Sequence, residues 1–207
     1  AEPVEAEMPL GRYLASTEKR VRDRAIRSLA AFVLMRAQEG GLSMSPAELS
    51  KLWKGLFYCF WMSDKPLVQQ QLAQELSELV LMVAGIDMRS EEAQVASLRH
   101  ALAALDFYQG FWHTMQAEWL GVDKFRIDKY YLLMRRFLQA GCQLLLVHGC
   151  DALLVERYVH IMRGTDGPLS SNNVHVPDSI TYHICDAFLA ELDPAGAGAA
   201  EAAPAGP

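Results

Sequence analysis

Metal ligation needs imidazoles or thiolates at spacings that let them converge, and the chain offers two His-x-Cys pairs, His148/Cys150 and His183/Cys185. Each pair falls in an apolar helical stretch, where a cysteine is expected to pack as a small buried hydrophobe, so no metal is assigned. Nucleophilic catalysis would need a serine or cysteine beside an oriented base. The sequence has no nucleophile elbow, no glycine-rich phosphate loop and no paired-carboxylate motif. Asp123 and Asp128 flank a helix start, where capping is their expected role. The chain reads as a non-enzyme, with no cofactor and no small-molecule substrate.

Cations are the more informative residues. Lys19, Arg20, Arg24 and Arg27 fall within about 140° of arc on one helix, opposite its apolar stripe, with Arg22 flanking the buried side. A second group comprises Lys124, Arg126, Lys129, Arg135 and Arg136. On a helical wheel Lys129, Arg135 and Arg136 project away from Tyr130, Phe137 and Leu138. Guanidinium forks match phosphate oxygens, so both groups are candidate contacts to a nucleic-acid backbone, which position a protein without reading sequence.

The elements that must carry these residues follow from periodicity. Of 207 residues, 51% are hydrophobic and 21% charged, which excludes a disordered or collagen-like chain. No strict alternation suggests a strand, and the expected fold is all-α: about seven helices in an irregular antiparallel stack, solenoid-like in the manner of HEAT repeats. The first helix is expected from Ser16 or Thr17 to Gln38, with Val21, Ala25, Leu29, Phe32 and Val33 as its stripe and Gly40-Gly41 as its stop. Ser45-Pro46-Ala47-Glu48 combines a capping box with a first-turn proline and starts the second. A third follows Pro66 and stops at Gly85. A fourth is expected from a Ser90 cap to Gly121, kinked near Gly110. Further helices are expected over 128–148, 151–163 and 179–192, with 164–178 as a surface loop. Residues 1–12 read as a flexible acidic segment, 13–192 as the helical domain, and 193–207 as a disordered Ala/Gly/Pro tail.

Net charge is −6, yet six of the 25 acids lie beyond Arg163, so residues 1–163 carry 19 charges of each sign. No apolar run is long enough for a membrane span, and the acidic, proline-containing N-terminus is the reverse of a secretory signal. Cys59, Cys142, Cys150 and Cys185 are irregularly spaced in apolar stretches and are expected to be buried free thiols of a reducing, intracellular compartment.

Three long blocks carry a resemblance. Residues 51–76 (KLWKGLFYCFWMSDKPLVQQQLAQEL), 118–137 (EWLGVDKFRIDKYYLLMRRF) and 176–192 (VPDSITYHICDAFLAEL) resemble, in the same order, the characteristic stretches of the eukaryotic nucleolar ribosomal RNA-processing protein 1 family. Glu18 to Leu29 is similar to that family's charged start. The resemblance implies a non-catalytic factor of the nucleus and nucleolus that binds the large-subunit (pre-60S) precursor and supports ribosomal RNA processing. Its implied partners are precursor ribosomal RNA and other large-subunit assembly factors. The competing reading is a protein–protein adaptor brought to the particle by other factors without direct RNA contact. Family members commonly continue into a long basic extension, which the Ala/Gly/Pro tail does not match.

Overall fold

The computed structural model describes residues 13–14, 16–38, 44–86 and 97–202. Seven α-helices are present among them: α1 (Lys19–Gln38), α2 (Pro46–Trp61), α3 (Pro66–Val83), α4 (Leu98–Glu118), α5 (Ile127–Val147), α6 (Ala152–Arg163) and α7 (Asp178–Ala202), with a 3-10 turn at Trp119–Gly121. No strand occurs among the described residues. No described helix is long and apolar enough to cross a membrane.

Local signals set the helix ends. At α2 the Glu48 N–H donates to Ser45 Oγ (3.3 Å) while the Ser45 N–H donates to the Glu48 carboxylate (2.8 Å), closing the expected capping box. The α3 end is held by Gly85 at φ 76°, with the Gly85 N–H on the Met82 carbonyl and the Ile86 N–H on Leu81 (both 2.9 Å). That pair of bonds needs a left-handed residue, which glycine adopts without a Cβ clash. Asp151 caps α6 through the N–H groups of Leu153 and Leu154.

Helices two apart in sequence pack on each other. The series α1, α3, α5, α7 makes one layer and α2, α4, α6 the other, and α3 and α5 join the two. This is an irregular, solenoid-like stack, in which each helix pair buries its apolar face against the next. Aromatic rings fill the seam: Phe111 and Phe137 stack at 3.6 Å between centroids, and Trp53 sits 4.7 Å from Phe107 and donates its indole N–H to the Phe107 carbonyl (2.9 Å). Each such buried ring contributes about 1.5–3 kcal/mol.

The layering brings the turns that lead from even to odd helices to one edge. There Arg22 of α1 reaches the Met62 carbonyl (3.2 Å), Lys129 of α5 reaches the Ser63 carbonyl (2.7 Å), and the Trp119 indole donates to Ser179 Oγ (2.8 Å).

Several expectations are corrected. The fourth helix starts at Leu98 behind Ser97; Ser90 lies outside the described residues, as do Gly40-Gly41 and residues 1–12. It runs unbroken to Glu118, and Gly110 serves a close approach, since a Cβ there would lie 2.5 Å from Trp53 Cδ1. The last helix continues past Leu192 and through Pro194 to Ala202, so the tail expected to be disordered from 193 is helical that far. Helix-favouring alanines and the buried Ala195 outweigh the amide hydrogen that Pro194 lacks. Phe32, expected in the first helix's buried stripe, is 38% exposed. All four cysteines are free, but only Cys59 and Cys142 are buried; Cys150 and Cys185 are exposed. Cys150 belongs to the turn ending α5, and Cys185 lies on the outer face of α7, where the apolar stripe does not reach.

Candidate nucleic-acid interface

The α1 group keeps its charges outside. Lys19, Arg20, Arg24 and Arg27 are all exposed. Lys19 is paired with Asp23 at 2.5 Å, whereas no acid among the described residues pairs with Arg20, Arg24 or Arg27. Those three guanidinium groups fall within about 60° of arc along two turns. Arg22 is buried, and its guanidinium donates to the Ser16 (2.8 Å), Thr17 (3.0 Å) and Met62 carbonyls.

The second group is broken up by the fold. Lys124 is exposed, its ammonium 5.1 Å from the Phe125 ring centre. Arg126 is paired with Asp123 and lies 4.6 Å over the Trp61 ring. Asp123 also accepts the Phe125 N–H (2.9 Å) within the turn before α5, whose N-cap is Arg126 without a side-chain bond, so Asp123 does not cap the helix as expected. Arg135 is paired with the buried carboxylate of Glu191 at 2.6 Å. Arg136 is half-buried and donates to Gln139 Oε1 (3.0 Å).

Lys129 is a correction. Expected to project toward solvent, it is 6% exposed, and its ammonium donates to the carbonyls of Phe60 (3.0 Å), Trp61 (2.7 Å) and Ser63 (2.7 Å). Burial, with Arg126 nearby, lowers its pKa to about 8. The wheel fails because α5 has neighbours on several sides, packing against α3, α4, α6 and α7, so no single stripe defines its buried surface. Helix α2 ends on carbonyls without helical partners and has no basic residue of its own in its last turn. Lys129 and Arg22 supply the positive charge that such an end favours.

The two His-x-Cys pairs are far from forming a centre. His183 is bonded to the Tyr131 carbonyl (3.0 Å) and stacks on that ring at 4.1 Å, and His148 Nδ1 lies 3.0 Å from the Leu144 carbonyl. Among the described residues no three His, Cys, Asp or Glu side chains are grouped to hold a metal.

Sequence reasoning missed a groove of about 660 Å³ between α2, α4 and α6. Its walls carry Lys54 paired with Glu118 (2.9 Å), which also accepts from the Tyr58 hydroxyl (3.0 Å), and Arg157 paired with Asp106 (2.7 Å). These residues come from helices far apart in sequence, and no motif announces them. Their charges cancel within the groove.

A family model described as the nucleolar protein Nop52 matches residues 5–205, nearly the whole chain. The chain belongs to the Nop52 family of nucleolar proteins. Relatives similar to this Nop52 chain include human ribosomal RNA processing protein 1 homolog A (35% identical over 92% of this chain and 38% of that protein). The mouse homolog B is 37% identical over 92% of this chain and 24% of that protein, and the Drosophila melanogaster homolog 30% over 97% and 26%. The chain thus spans between about a quarter and two-fifths of the length of these relatives. The Nop52 match takes in both cationic groups and the edge where the even-to-odd turns meet.

Proposed function

We propose that this chain acts as a non-catalytic ribosome biogenesis factor, bound to the nucleolar precursor of the large ribosomal subunit and supporting processing of its RNA. Membership of the Nop52 family and the names of the relatives support the biogenesis role. Direct RNA contact is carried by one observation: Arg20, Arg24 and Arg27 form an exposed row on α1 with no acid paired to them among the described residues. Lys19 borders the row, and Lys124 adds a separate exposed charge. Lys129 is withdrawn from the set, and Arg126, Arg135 and Arg136 take part at most secondarily, since each already holds an internal partner.

The test is binding to a large-subunit precursor RNA fragment across a salt series. Each neutralised phosphate contributes about 0.7–0.9 to the slope of log affinity against log salt, so Arg20→Glu/Arg24→Glu/Arg27→Glu should weaken binding and flatten the slope by about 2–3. An unchanged slope would overturn direct contact by this face.

The adaptor reading keeps one observation in its favour: the fold consumes most of the second cationic group internally. Under it, sedimentation of the full-length protein with large-subunit precursors survives ribonuclease; under the RNA reading, ribonuclease abolishes it.

A further inference from the structure

Large hydrophobic side chains on a helical stack normally face the seam between layers, and those that do not are informative when they gather. Leu67, Leu120, Phe125, Val174 and Tyr182 are between 67% and 92% exposed. They come from three separate stretches of chain: Leu67 from the first turn of α3, Leu120 and Phe125 from the α4–α5 connection, and Val174 and Tyr182 from the α6–α7 loop and the start of α7. These stretches share one edge. Lys129 ties the start of α5 to Ser63 in the α2–α3 turn, Trp119 ties the end of α4 to Ser179 at the start of α7, and Gln116 of α4 donates to the Asp166 carbonyl of the α6–α7 loop (3.0 Å). Successive helices of a layer lie about 8–10 Å apart, so the three stretches follow one another along the edge as a strip of apolar side chains with charged ones between them.

The charges on this strip decide between classes of occupant. Exposed Lys65, Lys124 and Arg163 are outweighed by one by exposed Asp64, Asp128, Asp166 and Asp178, and Arg126 is neutralised by Asp123. A surface built for phosphates carries a net positive charge, and Leu67, Leu120 and Val174 have no ring face for a base to stack on. A largely aliphatic strip with no net positive charge suits protein. The balance is also uneven along its length, with Lys124 beside Phe125 toward the middle and Asp178 beside Tyr182 at the α7 end.

We infer that the edge formed by the even-to-odd turns is a docking surface for an apolar segment of another protein, one that brings an acidic side chain to Lys124 and a basic one to Asp178. This surface is separate from the cationic row of α1 and goes beyond the RNA reading. Phe125 and Tyr182 anchor the contact, as aromatic side chains do at the centre of interfaces.

Site-specific photocrosslinking tests this in the full-length protein in its own cells, with p-benzoylphenylalanine at 125 or at 182 and at 153 on α6 as control, read after ribonuclease treatment. Both edge positions should yield an adduct with one and the same other protein, the control none. The adduct peptides should be apolar, with an acid near the 125 site and a base near the 182 site. Lys124→Glu should lower the adduct at 125 roughly tenfold by placing like charges together. An adduct that ribonuclease removes would replace protein with RNA as the occupant, and a peptide from this chain itself would replace it with a second copy; either overturns the inference. So does the absence of adducts, or an adduct indifferent to Lys124→Glu. The variants leave the core intact, because Lys124, Phe125 and Tyr182 are all exposed.

Discussion

Lys129 Nζ lies 2.7 Å from the Trp61 carbonyl oxygen, joining residues 68 positions apart, and the same ammonium holds the Phe60 and Ser63 carbonyls. With Arg22 on Met62, two cations from different helices thus satisfy four successive carbonyls at the end of α2. Lys129→Met would keep the bulk of the stem and take the ammonium from the Trp61 carbonyl, while Phe60 keeps its bonds from Ser63, Met62 that from Arg22 and Ser63 that from Gln69. The expected loss is about 1–3 kcal/mol in urea unfolding. The salt slope of RNA binding should not change, in contrast to reversal of the α1 arginines.

Gly110 lets α4 pass close against α2. A Cβ there would come within 2.5 Å of Trp53 Cδ1 and 2.8 Å of its Nε1. The indole has little freedom to retreat, since it is buried and bonded to the Phe107 carbonyl. Gly110→Ala should therefore destabilise by about 1–3 kcal/mol despite alanine's better helix propensity, seen as a lowered Tm.

His183 is kept neutral by burial, which lowers its pKa. A histidine whose folded pKa lies below the unfolded value binds fewer protons folded than unfolded, so its contribution is present above about pH 6.5 and is lost as pH falls below it. Acidification from pH 7.5 to 5.5 should lower the Tm, and His183→Gln should shrink that drop. An equal drop in the variant would show that the acid sensitivity arises elsewhere.

Arg135 and Glu191 pair α5 with α7 at 2.6 Å, the carboxylate buried and the guanidinium about half exposed. Arg135→Ala leaves Glu191 without its partner and should lower stability by about 1–2 kcal/mol, less than for a fully buried pair because water reaches the arginine. Adding Glu191→Gln should recover part of that loss in a double-mutant cycle.

The features legible in the sequence are those that depend on neighbours within about four residues. The α2 capping box, the Gly85 stop of α3, the cap at Asp151 and the helical character of the chain belong here, because their hydrogen bonds close within one turn. The exposed row of Arg20, Arg24 and Arg27 belongs here as well: among the described helices α1 packs mainly on α3, so a single apolar stripe places these arginines outside, although Phe32 of that stripe is exposed. Tertiary structure alone decided the rest. Lys129 is buried because α5 is surrounded, Glu191 because α7 lies along α5, and the apolar edge exists because alternate helices stack and bring distant turns together. The fate of a side chain in such places depends on which helices surround it, and partners 50 to 70 residues away leave no trace in the local pattern.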